Sequence, residues 1–150
     1  MIRDDIKAAT ITAMKAKDSV RLGTLRLISA ALKNKDIELR TGTAPPDDDV
    51  LVADVLSKMA KQRRESIEMF VNGGRPELAD IERAELGVIE GFMPQQMAAG
   101  EAQAAVRALV AELGATSVKD MGRVMAAVRE RFAGQLDMAA ASAMVKAALG

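Results

Sequence analysis

The chain has 150 residues, 49% hydrophobic and 28% charged, a globular composition sized for one domain or two small ones. It has no His and no Cys, which excludes a Ser-His-Asp triad, a Cys-His glutaminase, imidazole metal sites and thiolate zinc. Twenty-one basic residues balance twenty-one acidic ones, Trp and Tyr are absent and Phe occurs three times, so strong nonspecific phosphate binding and base stacking are excluded and no DNA binding is expected.

The start, MIRDDIKAAT, carries acids early and lacks an apolar leader core. No apolar run approaches the roughly 18 residues of a membrane span. Together with the lack of Cys, this sets the expectation of a cytoplasmic protein without membrane contact. Residues 2–17 form the first predicted helix, with Asp4 and Asp5 in its first turn and Lys15 and Lys17 in its last, as the helix dipole prefers. Asp18 caps a second helix whose stripe is Leu22, Leu25, Ile28 and Leu32, ending near Gly42. Arg26 and Lys33 share a face of it, but Asp36 and Glu38 break up the charge, so that face reads as solvated.

Pro45 and Pro46 bar helix in the following loop, and an Asp beyond them caps a third helix carrying Val52, Val55, Met59 and Phe70. Gly73 and Gly74 stop it. Pro76 opens a fourth, with the stripe Leu78, Ile81, Ile89 and Phe92. Arg63 falls on the packed side of the third helix, four after Met59. A guanidinium there needs partners, and Glu82 and Glu85 hold matching places in the fourth helix. A structural ion pair is favoured over a polar pocket.

Pro94 marks a predicted boundary, giving domains 1–94 and 95–150. Three short helices follow at 98–113, 118–133 and 138–149, stopped by Gly114 and Gly134, with a capping box at Ser117 and Asp120 and a cap at Asp137. The fold class is therefore all-α: an N-terminal domain of about four helices and a C-terminal three-helix domain. Val118, Met121, Met125, Val128 and Phe132 form a core stripe, with Lys119 and Arg123 opposite and Arg129 and Arg131 on its edges. The spacing favours a solvated face over a phosphate track. The Gly134 turn places amides beside a helix N-terminus, a site suited to phosphate. Gly122 lies inside a helix, where it costs about 1 kcal/mol relative to Ala; close helix packing is the preferred reason, and close approach of a ligand the other.

Three stretches in order, RLGTLRLISAALKNKDIELR, KQRRESIEMF with GGRPELADIERAELGVIEGFMPQQM, and KDMGRVMAAVRERFAGQLD, resemble the YqeY-type members of the GatB/YqeY family. The resemblance implies two all-helical domains. It likens the second to the tail of the GatB subunit of the glutamine-dependent aspartyl/glutamyl-tRNA amidotransferase, which helps hold tRNA while other domains do the chemistry. Carried over residue by residue, the tail pattern matches Gly122, Val124, Met125, Gly134 and Asp137, with basic residues at Arg129 and Arg131. Arg123 stands where the family has Gln or Lys. Gln135 and Ala139 replace usual basic residues, and Ala98 replaces a Ser cap. The kinase-like part of GatB and the Ser-Ser-Lys amidase centre have no counterpart here.

The resemblance thus implies a non-catalytic module without cofactor or metal, assisting a tRNA-linked amidotransferase or another translation protein. A carbon–nitrogen ligase label with glutamine as amido donor would be inherited from the tail. Lys119, Gly122, Arg123, Arg129, Arg131 and Gly134 are the candidates for weak, salt-sensitive contact with tRNA. A protein-interaction adaptor docking through the N-terminal helices is the alternative, and an enzyme using Arg63 with Glu82 and Glu85 a third reading.

Overall fold

The computed structural model describes residues 1–44 and 47–150, so the loop reading at Pro45 and Pro46 lies outside the described residues. Among the described residues there are seven α-helices, one 3-10 turn and no strand. The all-α expectation holds. The chain divides into two compact units, Met1–Met93 and Pro94–Gly150.

In the first unit, α1 (Ile2–Lys15) and α2 (Ser19–Glu38) meet in a tight turn. Lys17 sits there in the left-handed region at φ 56°, so it lies past the end of α1 rather than in its last turn. Asp18 caps α2 by accepting from the Arg21 amide at 3.2 Å. α2 stops at Glu38, short of Gly42. Asp47 caps α3 (Asp48–Asn72), accepting from the Asp49 amide at 2.9 Å. Gly74, at φ 72°, turns the chain into α4 (Pro76–Glu90), which has Pro at its first position.

Ile6, Leu25, Ile28, Val52, Leu56 and Ile89 are fully buried and join the four helices in one core. Burial of each Leu or Ile side chain contributes about 1.5–3 kcal/mol. Arg3 adds a polar clasp between α1, α2 and α3. Its guanidinium donates to Asp36 at 3.0 and 3.1 Å and to Asp48 at 3.0 Å through both Nε and Nη2. At the other edge the Arg21 guanidinium lies 5.9 Å from the centre of the Phe92 ring, within reach of a cation–π attraction.

The core ends before the α3–α4 hairpin does. Beyond Ala60 no described side chain of α3 is buried, and on α4 Ala79 is the one buried position before Ile89. Ile81, expected in the core stripe, is 57% exposed. The pair projects past α1 and α2, so a residue on the side away from α3 meets only solvent.

In the second unit, α5 (Ala99–Glu112), a 3-10 turn (Val118–Asp120), α6 (Met121–Arg131) and α7 (Met138–Leu149) surround Val106, Leu109, Val124, Val128, Ala141 and Val145. Gly114 at φ 64° and Gly134 at φ 75° take the left-handed conformation that ends helices cheaply only at glycine. Asp120 accepts from the Thr116 amide at 3.0 Å and the Ser117 amide at 3.4 Å, the carboxylate half of a capping box. Those amide bonds, with Arg123 adding, hold its carboxyl below the usual range.

Two expectations need correction in this unit. Val118 is 54% exposed, because the 3-10 turn advances about 120° per residue and breaks the stripe's phase. Val124 joins Val128 as the buried pair instead, with Met121, Met125 and Phe132 partly buried around them. Asp137 occupies the N-cap of α7 but its side chain makes no capping bond. The entering segment before α5 is tied to the α6–α7 turn: the Met97 amide donates to the Gln135 carbonyl at 3.1 Å, and Gln96 Nε2 donates to the Gly134 carbonyl.

Candidate functional site

The six RNA candidates fall in two settings. Gly122, Ala126 and Arg129 share one outward stripe of α6, spaced four and three apart, and all are exposed. Arg123 and Glu130, seven apart, run along its edge. A Cβ built on Gly122 meets nothing within 4 Å. The close-packing explanation for Gly122 is therefore wrong: no neighbouring helix of this chain needs the missing methyl group. The stripe is a bare floor onto which another backbone can come close.

Arg123 bonds locally, through Nη1 to the Leu113 carbonyl at 2.9 Å and through Nη2 to Asp120 at 3.2 Å. Arg131 forks onto Glu112 of α5, with Nη2 to Oε1 at 2.9 Å. That bond holds the Glu112 carboxyl below its usual range and the Arg131 guanidinium above. Both pairs are exposed, where solvent and salt screen an ion pair and leave it little net strength. Lys119 and Arg129 form no ion pair among the described residues. Gly134 is buried, and its carbonyl is taken by Gln96. The turn is thus braced from within, and Gly134 itself presents no surface to a ligand.

The second cluster lies in the α3–α4 hairpin. Arg63 Nε donates to Glu85 Oε2 at 2.8 Å and lies 3.4 Å from Glu82 Oε2. All three side chains are largely covered. Glu82 Oε2 is buried without a hydrogen bond of its own, so Arg63 balances its charge without satisfying its lone pair. One cation between two carboxylates is a structural tie. Among the described residues no group of His, Cys, Asp or Glu could hold a metal ion.

Sequence reasoning missed one thing. Asp36 and Glu38 do not dilute the charge of Arg26 and Lys33 as the sequence suggests. Asp36 is instead taken by Arg3, and Glu38 lies 3.9 Å from Lys35. Arg26 and Lys33 stand exposed with no ion pair among the described residues. Which carboxylate a distant arginine recruits across 33 residues has no local signal.

Residues 3–149 match the family described as Yqey-like protein. The chain belongs to the YqeY-like family. This is the family its three ordered motifs resemble. Its YqeY-like relatives include "Altered inheritance of mitochondria protein 41, mitochondrial" of Eremothecium gossypii, 36% identical over 71% of this chain and 55% of that protein. The protein of the same name from Lachancea thermotolerans is 33% identical over 75% of this chain and 57% of its own length. That of Saccharomyces cerevisiae is 33% identical over 63% and 48%. The chain thus spans about half the length of these curated relatives. Their names overturn the cytoplasmic expectation, since they are mitochondrial proteins by name. An apolar leader core is no test for a mitochondrial protein, whose leaders are amphipathic and Arg-rich, and a cysteine-free composition does not distinguish the two compartments. No helix among the described residues is long and apolar enough to cross a membrane.

Proposed function

We propose that this YqeY-like chain is a non-catalytic accessory module whose C-terminal unit makes weak contacts to the tRNA backbone, in the service of a tRNA-dependent amidotransferase or another translation protein. The observation that supports it best is the open floor of Gly122 and Ala126 beside Arg129 and Arg123. Small residues permit close approach, and Arg129 on the stripe with Arg123 along its edge can replace counterions on phosphates. The likeness of this unit's sequence to the GatB tail supports the same reading. Gln135 and Ala139, which stand where the family carries positive charge, keep the expected affinity low. The scarcity of aromatic rings makes the contact one to backbone rather than to stacked bases.

Titration of labelled tRNA at about 50 and 200 mM salt tests this. The wild-type chain is expected to bind weakly and more weakly at the higher salt. Arg123→Ala with Arg129→Ala is expected to lower the salt slope by about 2, one for each lost phosphate contact. Equal binding by both proteins, or none by either, rejects the reading. The adaptor reading then stands, favoured by the outward face of α2.

A further inference from the structure

The outward face of α2 carries an unused coiled-coil seam. Val20, Gly23, Leu27, Ala30, Asn34 and Ile37 follow one another at 3-4-3-4-3 spacing, the a and d positions of successive heptads. All six are exposed, with Val20 at 65%, Leu27 at 47% and Ile37 at 46%. They lie opposite Leu25, Ile28 and Leu32, which α2 spends on its own core. The seam runs about 26 Å, taken at 1.5 Å per residue.

Its flank is of one sign. Arg26 and Lys33 hold successive g positions, just before the a residues Leu27 and Asn34. Arg40 follows seven residues later, two beyond the helix end, and is exposed. None of the three forms an ion pair among the described residues, and the nearby acids Asp36 and Glu38 are held by Arg3 and Lys35. Gly23 sits inside α2, in its second turn, where glycine is a poor helix former. A Cβ there meets nothing within 4 Å, so the fold itself gives no reason for it. Small residues at d let a facing helix settle close.

From this juxtaposition we infer that the outer face of α2 docks an amphipathic helix of a protein partner whose flanking positions are acidic. The apolar a and d residues give the seam, Gly23 and Ala30 give close approach, and the cations at g select carboxylates and set register. A second copy of this chain paired antiparallel about a two-fold axis is a poor occupant, because the g flanks, and so their cations, then face each other. Nucleic acid fits less well, because half-exposed Leu27 and Ile37 have nothing to gain from phosphates and no aromatic ring stands on the face. The inference does not depend on RNA contact by the C-terminal unit.

The test uses the full chain and two labelled helical peptides of three heptads, with Leu at a and d. One carries Glu at e and g and the other Lys. Fluorescence anisotropy is expected to show saturable binding of the Glu peptide and at least tenfold weaker binding of the Lys peptide. Arg26→Glu with Lys33→Glu is expected to reverse that preference. Gly23→Gln is expected to weaken the Glu peptide at least tenfold while the chain melts no lower than the wild type, a combination that a merely structural glycine does not give. Equal binding of the two peptides, indifference to the α2 substitutions, displacement of the Glu peptide by a short RNA duplex at lower concentration than by unlabelled peptide, or dimerisation of the chain lost in Leu27→Glu would each overturn the inference.

Discussion

The base and the tip of the α3–α4 hairpin are held by different forces. At the base, Val52, Leu56 and Ile89 are sealed by α1 and α2, and burial of apolar surface dominates. At the tip, Ala79 is the buried described residue and the Arg63, Glu82 and Glu85 cluster bridges the two helices. The same helices thus change from a hydrophobic to an electrostatic tie within a few turns. A two-helix arm has only one contacting side per helix, so apolar residues such as Met69 and Ile81 remain in water however well they match a helical stripe.

Leu56→Ala should give the largest effect. It removes a fully buried side chain among four helices, and a loss of about 3 kcal/mol in urea unfolding is expected. Arg63→Met at the tip should cost less, about 1–2 kcal/mol, because it leaves Glu82 and Glu85 facing each other in a partly wet site. Hydrogen exchange should then rise in residues 63–85 while amides around Leu56 keep their protection. Adding Glu82→Gln and Glu85→Gln should restore most of the loss; if it does not, the arm is held by packing. The smallest effect is expected at the Arg3 clasp. Arg3 holds the Asp48 carboxyl below the usual range, chiefly by hydrogen bonding. Its contribution is present above the unfolded pKa of about 4 and is lost as pH falls through the lowered folded value. With Asp48 about half exposed, solvent screening keeps this below about 1 kcal/mol. Stability in urea should fall between about pH 5 and 2 in the wild type, and fall less over that range in Arg3→Gln.

The legible parts of this molecule were those set by local chemistry. Asp18 and Asp47 cap, Pro76 starts a helix, and Gly74, Gly114 and Gly134 turn left-handed because the chain itself requires it. What could not be read depended on neighbours or on phase. Ile81 fits a helical stripe but has no third layer to meet. Val118 fits another until a 3-10 turn rotates it outward. Gly122 reads as a packing glycine, and only coordinates show the space around it to be empty. For the candidate sites, the residue types and their helices were readable, but the pairing was not. Arg3 taking Asp36, and Arg131 taking Glu112, decide which cations stay free, and both bonds join separate helices.

The bonds from Gln96 and Met97 to Gly134 and Gln135 make the C-terminal unit a closed hoop, its first residues latched to a corner 38 positions downstream. Such a hoop has no loose leading end from which to fray. A protease or a pulling force entering near Pro94 must open the α6–α7 corner before it can peel α5 away, so the unit should resist as a whole and then yield all at once.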